Sequence, residues 1–468
     1  MADDGIDADK GAVGDAARSR KYASLLLGGM LYAIALVLMR LSTPAGVDAS
    51  PLRIEGPNGR PCTGALWLPA DTPKAVMLIG HGVSTNQGVM ATVAKAFAGQ
   101  GYAAIAIDFF GHGRSRETFD WSANPAQVFA WCAWARESYP GVPLAYLGHS
   151  MGGFAGAEAF SDSPVVDAFV ALGALPRRFP KVPTLVAAGQ FEELFTPDEA
   201  RRQAEGRAEV LISPWSNHVM EAWDPVLIYG IVDWVSGKLG LPSSEGPPWA
   251  RWGSGTLATL LGCIGAFLLA AAITAHFRGD PVALSPPQSD RRWSLNPYRI
   301  MGRLICLRGY GIPPRGGSWL RAFALAFLYS GVLVVLLAVL LNRDIFTSRP
   351  DHPERGMAWL IALAIFMPVL LLDAFALERL PLSSARQRFL VPALTRGIPL
   401  SIAATAFWFS GPGPAFGGML LSIFAFVAVV LALVHAQATK SAGDYRTGAI
   451  ASSILLGWAL MFWFPVTW

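Results

Sequence analysis

The chain has 468 residues, of which 53% are hydrophobic and only 15% charged, and its mean hydropathy is +0.40. That length exceeds one ordinary domain, and that composition is too apolar for an ordinary soluble protein. A net charge of +4 does not point to a nucleic-acid partner, and four cysteines are too few for a disulfide framework. Cys62, Cys132, Cys263 and Cys306 follow no zinc-binding spacing and read as small buried residues. A Cys62–Cys132 bridge is the alternative if that part of the chain meets an oxidising compartment.

Residues 1–21 carry Asp3, Asp4, Asp7, Asp9 and Asp15 among Gly and Ala and offer little apolar surface to bury. They are expected to form a disordered cytoplasmic tail. Residues 22–41 are an apolar run flanked by Arg18, Arg20 and Lys21 and closed by Arg40. At 1.5 Å per residue such a run just crosses a hydrocarbon core of about 30 Å. The basic flank holds the N-terminus in the cytoplasm. A cleaved signal peptide is the competing reading, but the run is long for one, so an uncleaved anchor is expected.

From 50 to 240 the pattern changes to short Val/Ile/Leu/Ala runs, at 75–80, 103–108, 142–147, 165–172, 182–188 and 209–212. Helical stretches fall between them, near 90–100, 125–138, 151–160, 197–205 and 224–239. Continuous apolar strands alternating with helices predict a mostly parallel α/β sheet covered on both faces. Residues 63–68 are expected to add an antiparallel edge strand.

A Pro/Gly/Ser linker occupies 241–252, and the remainder, 253–468, reads as a membrane domain. Its apolar spans lie near 253–275, 320–341, 357–377, 398–412, 416–436 and 448–467. With the anchor, this makes seven spans. The segment 276–319 carries Arg278, Arg291, Arg292, Arg299, Arg303, Arg308 and Arg315, and this topology puts it inside, as the positive-inside rule requires. The segments 378–397 and 437–447 also fall inside, and 50–248 falls outside. Within the first basic segment, Leu295, Ile300, Leu304 and Leu307 interleave with arginines. They read either as a helix on the anionic leaflet or as an ordinary topology-setting loop.

The chemistry centres on Gly148-His149-Ser150-Met151-Gly152, a G-x-S-x-G pattern between an apolar run and a small-residue helix. Small residues on both sides of the serine permit the sharp reversal that lifts its hydroxyl above the sheet. A serine nucleophile needs a base, the base an orienting acid, and the oxyanion hydrogen-bond donors. Between Ser150 and the membrane part there is one histidine, His218, directly after the last strand. The turn after 182–188 offers Glu192, with Glu193 as the close competitor. The alternative site, after 165–172, has no acid. The N–H of Met151 is the first oxyanion donor. The loop His81-Gly82-Val83-Ser84 supplies the second, assigned to Val83 with Gly82 as the fallback. His81, His112 and His149 are expected to pack or hydrogen-bond, and Asp108 to brace the turn at 111–115. Asp373 and His435 are placed near inner membrane interfaces.

With His81-Gly82, Asp108-Phe109-Phe110-Gly111-His112-Gly113-Arg114-Ser115, Gly148-His149-Ser150-Met151-Gly152-Gly153 and His218, residues 50–240 resemble the α/β-hydrolase superfamily. The likeness is to the serine hydrolases grouped with monoacylglycerol lipases and S33-type aminopeptidases. It implies a Ser-His-acid hydrolase working without metal or organic cofactor. The acid is Glu where Asp is commoner. Too few residues separate 172 from 182 for the lid that many relatives insert. The expected function is cleavage of lipid or other acyl esters at a bilayer. Transfer to another acceptor, peptide cleavage by the same triad, and a translocator with an accessory hydrolase are the alternatives.

Overall fold

The computed structural model describes residues 4–162, 165–244, 246–278, 317–341, 353–380, 382 and 384–463. Eight strands form one sheet: β1 (Asp48–Glu55), β2 (Pro61–Leu68), β3 (Ala75–Gly80), β4 (Tyr102–Asp108), β5 (Leu144–His149), β6 (Ala168–Leu172), β7 (Thr184–Phe191) and β8 (Glu209–Asn217). Their order is β1-β2-β4-β3-β5-β6-β7-β8. The pairs β1–β2 and β2–β4 are antiparallel and every other pair is parallel.

The central strands read as unbroken apolar runs because both faces are covered. Along β3, Met77 and Ile79 pack under α2 (Ala91–Gly99) and α6 (Pro225–Lys238). Val76 and Leu78 pack on the other face, with residues of α3 (Asn124–Ser138) and α4 (Met151–Ala159). This is the alternation a strand imposes, with apolar residues on each side. A short fifth helix, α5 (Pro197–Ala204), is started by a capping box between Thr196 and Glu199. Cys62 and Cys132 are buried free thiols.

Three elements of the N-terminal half differ from expectation. β1 is an additional antiparallel edge strand. Its sequence, with Pro51 and three charged residues, presents only a weak apolar alternation, and Ile54 is its one buried hydrophobic residue. β8 runs five residues beyond the expected 212, through Pro214, which an edge strand tolerates because its outer N–H groups need no partner. The N-terminal segment expected to be disordered is helical from Asp4, continuous with the anchor in α1 (Asp4–Ser42).

The C-terminal region consists of α7 (Trp249–Arg278), α8 (Trp319–Leu340), α9 (Pro353–Glu378), α10 (Ala385–Trp408), α11 (Pro412–Ala442) and α12 (Tyr445–Trp463). Six helices among the described residues are long and apolar enough to cross a membrane: α1 and α7 to α11. α12 overlaps the seventh expected span. α10 starts 13 residues before the expected 398, so much of the anticipated basic loop is helix. The reason is pairing: Arg388 Nε meets Glu378 at 2.7 Å, and Arg396 pairs with Asp373 of α9. Those partners let arginines sit in a helix that composition alone ends later. The basic segment 295–308, residues 342–352 of the outer loop expected at 342–356, and Cys306 lie outside the described residues.

Glu378 is buried against both Arg388 and His435, the latter at 3.3 Å. The expected interfacial His435 is thus a buried partner of an ion pair. Glu378→Leu leaves the Arg388 guanidinium without its carboxylate and is expected to cost about 3–5 kcal/mol. Thermal unfolding of purified protein in detergent would read this as a large drop in Tm. A Glu378→Leu, Arg388→Met double variant recovers part of the loss, because it removes the charge that was left unpaired.

Candidate active site

The site lies at the C-terminal ends of the parallel strands, where open α/β sheets place their ligands. Pairing of Ile79 with Leu147 and Gly80 with Gly148 puts the ends of β3 and β5 side by side. The loop after β3 therefore faces the turn after β5. Ser150 occupies that turn with φ 50 and ψ −115, a strained backbone for a residue with a side chain. Close packing enforces it. A Cβ on Gly148 would lie 2.2 Å from the Gly152 carbonyl group, and one on Gly152 would lie 2.7 Å from that of Gly80. Ser150 N–H donates to Leu172 O, and Gly152 N–H donates to His81 O, tying the turn to both neighbouring strand ends.

The structure brings together Ser150, His218 and Glu192. His218 Nε2 is 3.0 Å from Ser150 Oγ and its Nδ1 is 2.9 Å from Glu192 Oε2. All three are buried. β8 carries His218 directly past its end, and a register shift in β7 between Gly189 and Phe191 aims the following Glu192 at the ring. Such irregularities redirect side chains next to functional sites. Leu194 N–H donates to the other oxygen of Glu192 at 2.8 Å. Burial raises the Glu192 pKa, but the hydrogen bond and charge of His218 outweigh it and hold the carboxyl below its usual range.

Glu193 turns elsewhere. It accepts from the His218 backbone N–H and from Asn217 Nδ2, both at 2.9 Å, and so fastens the loop rather than the ring. Burial pushes its carboxyl up.

Val83 and Met151 N–H groups have no protein hydrogen-bond acceptor among the described residues. A Cβ on Gly82 would meet His149 Nδ1 at 3.0 Å and Ser150 Cβ at 3.2 Å, so the loop backbone runs against the nucleophile. The three other histidines brace loops. His81 Nε2 accepts from Phe109 N–H, and His112 Nε2 from Ser84 N–H. His149 Nε2 donates to His218 O. Burial, then neighbouring histidine charge, keeps His149 neutral with a pKa of about 3; burial holds His112 at about 4. Asp108 does brace the 111–115 turn, accepting from Arg114 N–H, and it also accepts from Gln87 N–H.

Glu221 was not anticipated from sequence. It is fully buried, accepts from Gly189 N–H through Oε1 at 2.8 Å, and finds no donor for Oε2. Beside ionised Glu192, an ionised Glu221 would be an uncompensated buried charge. Burial, and after it the neighbouring Glu192 charge, pushes its pKa well above 4.5. No spacing rule separates such a residue from an ordinary acid after a turn; only its depth reveals it. Donor atoms of His149, His218 and Glu221 lie within 4.8 Å of one another. His149 Nε2 donates to His218 O, and the two His218 nitrogens are engaged by Ser150 and Glu192.

A raised carboxyl pKa costs stability as pH climbs. Below about 4.5 the folded and unfolded chains are both protonated at this group, and above it only the unfolded chain ionises freely. Glu221→Gln keeps the shape and the acceptor for Gly189 N–H and cannot ionise. It is therefore expected to retain activity and to gain Tm over wild type increasingly as pH rises from 5 to 9. Glu221→Ala is expected to lose about 1–3 kcal/mol by unpairing Gly189 N–H. Parallel melting curves across pH check both.

A cleft of about 490 Å³ lies beside the site, lined by Phe154, Leu175, Leu194 and Phe195 with Glu199, Arg202 and Gln203. No residue of the Ser150–His218–Glu192 relay lines it. The 173–183 connection contains no helix, in keeping with the expected lack of a lid.

Residues 71–206 match the family described as serine aminopeptidase, S33. The chain is 33% identical over 91 residues to the monoglyceride lipase of Homo sapiens, covering 19% of this chain and 30% of that protein. It is 32% identical over 102 residues to the monoglyceride lipase homolog of Monkeypox virus, covering 21% and 37%. The chain thus spans about a third of the length of these curated relatives. An esterase structure from Pyrococcus furiosus is 16% identical, covering 43% of this chain and 95% of that one, with a TM-score of 0.37. A Xanthomonas campestris serine hydrolase described as lacking a lid is 19% identical, covering 43% and 98%, with a TM-score of 0.35. The sheet, its flanking helices and the family match agree on an α/β-hydrolase domain.

Proposed function

We propose that this chain is a membrane-anchored serine hydrolase that cleaves apolar acyl esters through an acyl-enzyme. The observation that carries the reading is the linear relay from Ser150 through His218 to Glu192, at 3.0 and 2.9 Å, beside two unengaged backbone N–H groups. Ser150 Oγ attacks the ester carbonyl while His218 Nε2 takes its proton. Met151 and Val83 N–H groups stabilise the oxyanion, which lies at the N-terminal end of α4. His218 then protonates the leaving alcohol. Water, activated by the same nitrogen, attacks the acyl-enzyme and releases the acid. Glu192 holds the Nδ1–H tautomer and stabilises the imidazolium that forms twice per cycle.

Location supports an apolar substrate. Phe191, next to Glu192, meets Trp408 of α10 with ring centroids 6.4 Å apart. Loops and strand ends at the same end of the sheet expose Val83, Phe191, Trp215 and Met220. The topology read from sequence, with the N-terminus cytoplasmic and the hydrolase domain outside, has support of its own. Helix ends that touch the hydrolase domain are those expected to be outer: Pro44 after α1 at Gly99, Trp252 of α7 on Trp223 O, Arg355 of α9 on Gly111 O, and Trp408 of α10. Contacts such as Arg278 to Lys440 O and Arg446 to Gly317 O join the expected inner ends.

The test is a panel of acyl esters of graded chain length, monoacylglycerols first because the named relatives are monoglyceride lipases. Each is presented to the full-length protein in lipid nanodiscs. Release of free acid, rising with acyl length, is expected. Intact esters across the whole panel would sink the proposal, and transfer to added alcohol in preference to water would redirect it to acyl transfer.

A further inference from the structure

Arg355 stands at the outer end of α9 and is 1% exposed. Its two terminal nitrogens point to different parts of the molecule. Nη1–H donates to Met461 O of α12 at 3.0 Å, inside the bundle. Nη2–H donates to Gly111 O at 2.9 Å, across the boundary into the hydrolase domain. A guanidinium suits this task because its rigid fork reaches two acceptors at once, which an ammonium does with less directional control.

Gly111 belongs to the loop after β4, and that loop backs the one bearing Val83. Phe109 N–H is held by His81 Nε2 at 3.1 Å, and His112 Nε2 accepts the Ser84 N–H at 3.3 Å. His112 Nδ1–H is in turn anchored on Phe110 O at 3.0 Å. The His81 and His112 rings lie 5.1 Å apart. Ser84, immediately after Val83, sits at φ 59, a conformation that persists only when its surroundings impose it. His112, riding on the loop that Arg355 holds, supplies that restraint.

We propose that Arg355 is a positioning residue through which the membrane bundle sets the oxyanion loop, so that the hydrolase site is complete only with the bundle docked. The inference rests on the serine-hydrolase reading and adds a role for the bundle beyond tethering. Loss of the Arg355–Gly111 tie lets the 109–113 loop relax, His112 follows, and Val83 N–H drifts from the oxyanion position. Such a displacement, remote from the reacting atoms, costs about 10²-fold in rate.

The experiment uses full-length Arg355→Met and Arg355→Lys in nanodiscs, with tryptophan-fluorescence melting to confirm folding. Three quantities are read: sites titrated by a fluorophosphonate carried to completion, kcat per titrated site with KM for a short soluble ester, and Ki for a trifluoromethyl ketone analogue. The serine adduct of the ketone carries an oxyanion. Expected for Arg355→Met is a kcat per site lower by about 10²-fold, an unchanged KM, and a ketone Ki weakened in proportion. Arg355→Lys is expected to fall between, since it keeps the charge and loses the fork. The proposal is overturned if kcat per titrated site and the ketone Ki stay at wild-type values in folded Arg355→Met or Arg355→Lys, even where fewer sites titrate. That pattern is what a merely structural clamp would give. Failure of the wild-type protein itself to label would instead remove the serine-hydrolase reading beneath it.

Discussion

Ser150→Ala lowers ester turnover to background, an expected loss on the order of 10⁶ in kcat, because a nucleophile working with its base as one unit has no partial substitute. Among the described residues the hydroxyl makes one hydrogen bond, the 3.0 Å bond to His218, and the turn is held by backbone packing. The fold should therefore survive, with Tm within a few degrees of wild type. Ser150→Gly separates the two consequences. It is equally inactive, yet more stable by about 1 kcal/mol, since glycine adopts φ 50 without penalty. Turnover and melting curves on the same preparations check both. Substantial esterase activity in folded Ser150→Ala would mean that the hydrolysis occurs elsewhere.

Glu192→Gln and Glu193→Gln give the second large contrast, between adjacent residues of the same type. Glu192→Gln removes the acceptor that fixes the His218 tautomer and the charge that stabilises its imidazolium. The expected loss is about 10⁴-fold in kcat. Glu193→Gln keeps one oxygen to accept from His218 N–H, and its amide NH2 then faces Asn217, whose own side-chain amide can turn its oxygen to it, so a fall of under about tenfold is expected. Steady-state kinetics on the two variants decide it. Equal losses would mean that the two side chains exchange roles in solution, and a larger loss at Glu193 would reverse the assignment.

Much of the fold was legible because buried parallel strands write themselves as continuous apolar runs. β3 fell at 75–80 as expected, and β4 to β7 within three residues of their expected limits. β1 was not legible, since an edge strand carrying Pro51 and charged residues lacks that signature. Helix α10 was misplaced because Arg388 and Arg396 read as loop charges until Glu378 and Asp373 are seen beside them. At the site, Ser150 and His218 are set by local turn chemistry and chain order, which sequence carries. The choice between Glu192 and Glu193 depends on a one-residue irregularity in β7, and Glu221 depends on depth. Both are three-dimensional facts that no local pattern encodes. The tie from Arg355 to Gly111 joins residues 244 positions apart and has no local signal at all.

The central claim is that Ser150 is an activated nucleophile in the intact membrane protein. The most direct measurement treats full-length protein in native membranes with a fluorophosphonate probe and maps the adduct by peptide mass spectrometry. The expected result is a single adduct on Ser150, abolished by prior unfolding and by His218→Ala. An adduct elsewhere with Ser150 unmodified, or no adduct on folded protein, would contradict the account.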